Sequence, residues 1–477
     1  MNISILLIIL LIGTFATYFS SEKMARTVAL FTSLIVFLAT GWLICQYQDG
    51  TDISLAVNWI SNPNITFALK ADGLSLALTL LTSSVIPLVI YSSFGNNFAN
   101  QRSLYALVLF MAFAMTGTFL ASDGFLYYIF WELALIPIYF IGLLWGNDEI
   151  KLRKKVMVRF FIYTFAGSLF MLVAFVYLYQ KAGSFLLEDL YALRLSSEEQ
   201  FWIFIAFFLA YAIKIPIVPF HSWQAETYRT NPALGTMLLS GVMLKMALFS
   251  VIRWQIPLAP QMAQEYQYFF IVLSVIGVIY GSILALRQDN LKVLLAYSSL
   301  AHVGLIAAGA YTLTLDGFRG AVLQMLAHGY VIVGLFFIAD IIERRYQTQK
   351  ISEMGGIRSQ AVCFSSIFII LTVSSVGLPG TFNFVGEFTL LYSLSQINIW
   401  IAIVAGTTII LGAFYMLRMF QKAMLGTTNS RTFMDINLQQ KVVLLLIVGV
   451  LIFFGVYPKP LNDLIVPTLE EILKHIN

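Results

Sequence analysis

Two lysines stand where a lipid-facing helix does not readily hold them. Lys214 and Lys245 both lie in the stretch FWIFIAFFLAYAIKIPIVPFHSWQAETYRTNPALGTMLLSGVMLKMALFSVIRW, residues 201–254. Lys214 interrupts an apolar run beside Pro216 and Pro219, and Lys245 lies mid-way along the next run. A charge near the centre of a spanning helix costs about 2.5–3.5 kcal/mol on insertion scales, so it faces a bundle interior or a wet cavity. The prolines remove backbone donors and disfavour helix just before them, so the helix is expected to break beside Lys214. Irregular backbone at membrane depth survives only when buried in protein or lining water. These constraints point to a buried, hydrated path for protons.

Four other residues join the lysines. Glu132, in FYYIFWELALIPIYFIGLLWG, is a carboxylate in an apolar run. Burial favours the neutral form of a lysine and a nearby carboxylate favours the charged form, so a Glu132–Lys214 pair has the chemistry of a switch; a static structural pair is the alternative. His302 in AYSSLAHVG and His328 in QMLAHGY lie in consecutive apolar runs. Histidine titrates near neutral pH, so the two suit a proton relay, though each also suits a hydrogen-bonded core position. Glu387 follows Pro379 of a second Pro/Gly break by eight residues and is read as a terminal proton carrier, with a carboxylate capping or bracing the broken helix as the alternative. Lys292 starts the run that carries His302, either as a proton-loading residue or as a snorkelling anchor. His221 and Glu226 stay evenly open, and Asp340 reads as an interfacial residue. No metal-ligand spacing, iron–sulfur motif or Gly-rich nucleotide loop accompanies these residues, and Cys45 and Cys363 are too isolated for a disulfide framework. No cofactor is expected in this chain.

The elements that must position these groups are membrane helices. The 477 residues are 59% hydrophobic and only 11% charged, against roughly 25% charged in a soluble domain. Runs long enough to cross about 30 Å of hydrocarbon number about fourteen: 3–19, 28–46, 73–93, 104–121, 124–145, 156–179, 201–220, 234–254, 268–286, 293–313, 318–342, 362–396, 399–420 and 441–457. The seventh and twelfth are expected to be broken. The first lacks a basic flank and a cleavage site, so it is expected to be a retained helix. With both termini outside, the inner loops, including Arg431, hold 19 basic residues and the outer side 7, which favours that orientation. The net charge of +4 reflects this loop asymmetry and calls for no nucleic acid; membrane lipid and protons are the expected partners.

A weak internal repeat organises the helices. IKIPIVPFHSW (213–223) aligns with VGLPGTFNFVG (376–386), TFAGSLFML with MLAHGYVIV, and LKMALFSVIRW with ILGAFYMLRMF, at offsets of 163, 161 and 165 residues. An offset of five helices inverts one unit against the other, and inverted repeats with matched broken helices point to a midplane transport site. The expected architecture is an all-α polytopic membrane protein. It has N-terminal helices in 1–100, a five-helix unit in 101–258 (helices 4–8), an inverted unit in 259–425 (helices 9–13), and a last helix and tail in 426–477.

Taken together, FWELALIPIYFIGLLWG, KIPIVPFHSW, LLSGVMLKMALFSVIRW, DNLKVLLAYSSLAHVG, QMLAHGYVIVGLFF and GLPGTFNFVGEF resemble the antiporter-like subunits of proton-translocating NADH–quinone oxidoreductase, respiratory complex I, and the related Mrp-type cation/proton antiporters. WELALIPIYFIGLLWG followed by FFIYTFAGSLFMLVA, and a glutamate at 387, look most like the M (chain-4) type. The resemblance implies a Glu132–Lys214 switch pair, a central Lys245, a relay at His302 and His328, and Glu387 as terminal donor. It also implies L- and N-type paralogues as neighbours, flavin, iron–sulfur clusters and quinone in partner subunits, and a bacterial inner membrane. One departure stands out: after PFHSW this chain continues QAETY (224–228) where the family usually has Leu-Pro-Asp-Ala-His. An Mrp-type or membrane-bound hydrogenase subunit, and a non-transporting membrane scaffold, are the alternative readings.

Overall fold

The computed structural model describes residues 3–61, 63–427 and 432–476; Arg431, counted among the inner-loop charges, lies outside them. The protein is an all-α polytopic membrane protein with one small β element. Eleven of the described helices are long and apolar enough to cross a membrane, while Ser4–Phe19 and Val362–Ser375 are apolar but shorter. The expected seventh run is helical over Ser197–Lys214 and stops there, and the twelfth divides into Val362–Ser375 and Phe382–Ile397. Pro216 enforces the first stop. The second spans Gly377 and Gly380, both at positive φ (+77° and +91°), with Pro379 between them; only glycine adopts such a backbone without strain.

A third interruption, at Ala134, was not foreseen. The run containing Glu132 is split into Gly124–Leu133 and Leu135–Trp145. Pro137 lacks the N–H that would bond the Leu133 carbonyl, so the ladder lapses one turn before it, next to Glu132. Helix starts follow local chemistry. Asp123 accepts from the Phe125 and Leu126 amides, Ser196 and Glu199 form a capping box, and Asn290 and Thr314 cap the helices carrying His302 and His328. Each satisfies amide donors that a helix start leaves unpaired.

The chain divides into two compact units. The first comprises Met1–Ile215, Val242–Gln267 and Leu461–Asn477. It contains Glu132, Lys214 and Lys245. It also holds an antiparallel hairpin, Ile53–Ile60 with Ile65–Ala71, which pairs Ile53 with Ala71 and Ile60 with Ile65. Apolar-run counting passes over such strands because they are too short to span. Asp123 ties the hairpin to the Glu132 helix by also accepting from the Thr66 amide at 3.2 Å. The segment expected to be a tail is instead the helix Lys459–Lys474, whose Leu461, Leu464, Ile465, Leu469 and Ile472 are buried. Its apolar residues recur at helical spacing without forming a spanning run. Gly73 permits its close approach, since a Cβ there would meet the Leu464 carbonyl oxygen at 1.8 Å.

The second unit comprises Pro216–Gly241 and Tyr268–Pro460 and contains Lys292, His302, His328 and Glu387. Here Leu315–Tyr346 and Leu291–Ala310 are largely buried, while peripheral helices expose side chains such as Trp400 and Ile410. An apolar exterior around a polar-dotted interior is what a lipid solvent selects.

Candidate functional site

Lys214 ends its helix at the break, 2% exposed. Its Nζ lies 3.7 Å from the centre of the Trp131 ring. Among the described residues it makes no hydrogen bond. The indole face supplies a cation–π partner in place of water, an attraction of about 2 kcal/mol when desolvated. Trp131 is the residue before Glu132, so one helical turn presents both. Glu132 is half-buried beside the hydroxyls of Ser168 and Tyr128 and within the field of the Lys214 charge, yet no direct ion pair joins Glu132 and Lys214 among the described residues. Gly167 lets the Ser168 helix approach the Lys214 helix, since a Cβ at Gly167 would sit 2.8 Å from Ile213 Cδ1.

Lys245 is fully buried, on a short α-helical piece, Leu244–Ser250, flanked by π-helical turns at Leu239–Met243 and Val251–Gln255. Such turns shift the hydrogen-bond register and recur at functional sites. Ser250 on this helix accepts a hydrogen bond from the Tyr127 hydroxyl at 2.6 Å. Tyr127 lies 3.4 Å from the Tyr211 hydroxyl, and the Tyr211 ring packs on Trp131 at 5.5 Å. A line of buried hydroxyls therefore runs between the Lys214 neighbourhood and the Lys245 helix. Tyr127 and Tyr211 were not among the sequence candidates. The one available signal was the polar rim of Tyr127 and Tyr128, one turn before Trp131 and Glu132.

In the second unit three of the expected residues meet. His302 Nδ1 lies 3.0 Å from Glu387 Oε1, and the His302 and His328 rings are 5.7 Å apart. All three are buried. Gln324, one turn before His328, donates to the same Glu387 Oε1 at 3.2 Å. Glu387 Oε2 faces the break, where a Cβ on Gly377 would be 2.4 Å away. Gly386 in turn gives room to Gln324, whose Oε1 would be 2.4 Å from a Cβ there. The second break therefore holds one carboxylate oxygen while a histidine and an amide hold the other. Gln324 was missed because an amide in an apolar run carries less signal than a charge.

Lys292 is buried and pairs with Glu343 at 2.5 Å. Asp340, expected at the interface, is buried and pairs with Arg344 at 2.6 Å. Lys292 lies ten residues before His302 on one helix, about 15 Å along its axis. His221 stacks edge-on against Tyr280 at 5.0 Å. Among the described residues, no group of three or more histidine, cysteine or carboxylate side chains is placed to hold a metal ion.

A sequence model of the family described as NADH:quinone oxidoreductase/Mrp antiporter, TM, matches residues 121–412. The chain is 32% identical to NADH-quinone oxidoreductase subunit M of Rickettsia typhi, over 99% of this chain and 96% of that protein. It is 33% identical to NADH-ubiquinone oxidoreductase chain 4 of Arabidopsis thaliana, over 99% of this chain and 97% of that one. Its fold matches a chain in respiratory complex I from Thermus thermophilus with bound NADH, at a TM-score of 0.92 and 28% identity, covering 99% of each.

Proposed function

Because this chain belongs to the NADH:quinone oxidoreductase/Mrp antiporter transmembrane family, we propose that protons cross it along Glu132, Lys214, Lys245, His302, His328 and Glu387. The chain is an antiporter-like, proton-translocating membrane subunit of NADH:quinone oxidoreductase, of the subunit M (chain 4) type, and it works among other membrane subunits. In this reading the flavin, iron–sulfur clusters and quinone belong to partner subunits, with L- and N-type paralogues beside it. The membrane is a bacterial inner membrane with both termini on its outer side, as the loop charges favour. Residues 101–258 and 259–425 act as the two inverted transport units, flanked by 1–100 and 426–477.

The observation that carries the path is the buried contact between His302 Nδ1 and Glu387 Oε1. With both ring nitrogens protonated, His302 forms an ion pair with Glu387; transfer of the Nδ1 proton to Oε1 leaves two neutral groups, so the proton moves without leaving a bare charge in the interior. Lys214 supports the loading step in the same way. Its ammonium rests on Trp131 within the field of Glu132, so a change at Glu132 alters the balance that keeps the lysine charged. Lys292, paired with Glu343, is the remaining candidate for loading.

The test is the assembled complex carrying Lys214→Ala or Glu387→Gln, reconstituted in vesicles, with quinone reduction and proton uptake recorded together. Both rates should fall sharply in each variant while assembly is intact. Normal rates in both variants would make these residues braces and remove the proposed path.

A further inference from the structure

The second unit contains a cavity that this path leaves unused. It has a volume of about 360 Å³, and its lining includes Arg287, Asp289, Arg418, Lys422 and Tyr415. Three of these carry positive charge, which by the loop-charge rule puts the mouth on the inner face. At its floor, Tyr415 is 1% exposed. Its hydroxyl lies 3.1 Å from Ser298 Oγ and senses the charge of Glu387. Ser298 and His302 are four residues apart on one helix, so they lie on one face about 5–6 Å apart between Cβ atoms. One water bridges such a gap between polar groups. His302 then contacts Glu387.

We propose that this cavity is a second proton intake, loading the His302–Glu387 pair directly from the inner face through Tyr415 and Ser298. The Tyr415–Ser298 hydroxyl pair closes it and relays the proton: each oxygen accepts one proton as it releases another, with no net change at either group. The basic mouth admits water, and the hydroxyl pair passes a proton without an open pore. The intake makes the second unit loadable without a proton arriving from Lys245. It rests on the reading of Glu387 as a proton carrier.

Ser298→Cys reports water access in the assembled complex, in a background of Cys45→Ser and Cys363→Ser. A charged, membrane-impermeant methanethiosulfonate is added to either face of reconstituted vesicles, with Tyr415 intact or as Tyr415→Ala. The expected result is slow labelling with Tyr415 intact and fast labelling from the inner face in Tyr415→Ala. Labelling only from the outer face, or none in Tyr415→Ala, overturns the intake. Tyr415→Phe, which keeps the ring and removes the hydroxyl, should lower proton uptake roughly twofold to tenfold, the weight of one buried hydrogen-bond link; unchanged uptake overturns the relay. Glu387→Gln separates this inference from its premise. Lost uptake in Glu387→Gln with an unlabelled thiol overturns the intake and leaves the proposed function standing. Full uptake in Glu387→Gln overturns the reading of Glu387 as a proton carrier, and the intake with it, whatever the labelling.

Discussion

Gly377→Ala is expected to cripple proton transfer for a reason that Gly380→Ala does not share. Both glycines lie in the second helix break at positive φ, +77° and +91°. An alanine at either position costs about 1–2 kcal/mol in backbone strain. The surroundings differ. A Cβ at Gly380 meets nothing within 4 Å, whereas one at Gly377 would stand 2.4 Å from Glu387 Oε2. The carboxyl must therefore pivot by roughly 0.6 Å merely to restore a 3.0 Å separation. Oε1 moves with it: its hydrogen bond from Gln324 at 3.2 Å stretches beyond about 3.6 Å, where a hydrogen bond is lost, and its 3.0 Å contact with His302 widens. A hydrogen bond to a charged group contributes about 1.5–3 kcal/mol, which corresponds to roughly 10–150-fold in an equilibrium. Proton uptake by reconstituted complex should thus fall at least tenfold further in Gly377→Ala than in Gly380→Ala, with assembly compared by native electrophoresis. Equal uptake in the two variants would refute the argument that the break holds the Glu387 carboxyl in register.

Tyr127→Phe keeps the ring that packs on Trp254 at 4.9 Å but removes the hydroxyl bonded to Ser250. Uptake should fall roughly twofold to tenfold, the weight of one buried hydrogen bond, with assembly unchanged, as measured in the same vesicles. Gly73→Ala should undock the Lys459–Lys474 helix, because its Cβ has no room against the Leu464 carbonyl; faster proteolysis of that helix in the purified complex is the readout. Outside the membrane, Lys70 and Glu188 pair at 2.8 Å. The pairing raises the Lys70 pKa and lowers that of Glu188. A lowered carboxyl contributes stability above its ordinary pKa and loses it as pH falls through the folded value; a raised lysine loses its share as pH rises through its own folded value. The thermal midpoint of Glu188→Gln should therefore differ from the parent between those limits and converge at the acid end. The effect should be no more than about 1 kcal/mol, since both groups are solvent-screened.

The sequence by itself determined the solvent and the chemistry. Long apolar runs with few charges are stable only as helices in lipid, so the charges left inside them marked the candidate groups before any contact was known. The break beside Lys214 and the one before Glu387 were also legible, because proline and glycine act on the backbone locally. Pro137 carries the same local rule, but its break was hidden by the continuous apolar run around it. What the tertiary structure decided is which groups touch. His302 and Glu387 share one contact across 85 residues of chain, and Gln324 joins Glu387 from a third helix. Lys214 rests on an indole face with Glu132 nearby but not in contact. Such meetings depend on how each helix is rotated and how closely glycines let it approach its neighbour. Periodicity states which face of a helix is apolar, and in a chain apolar all round it leaves that rotation open until packing sets it.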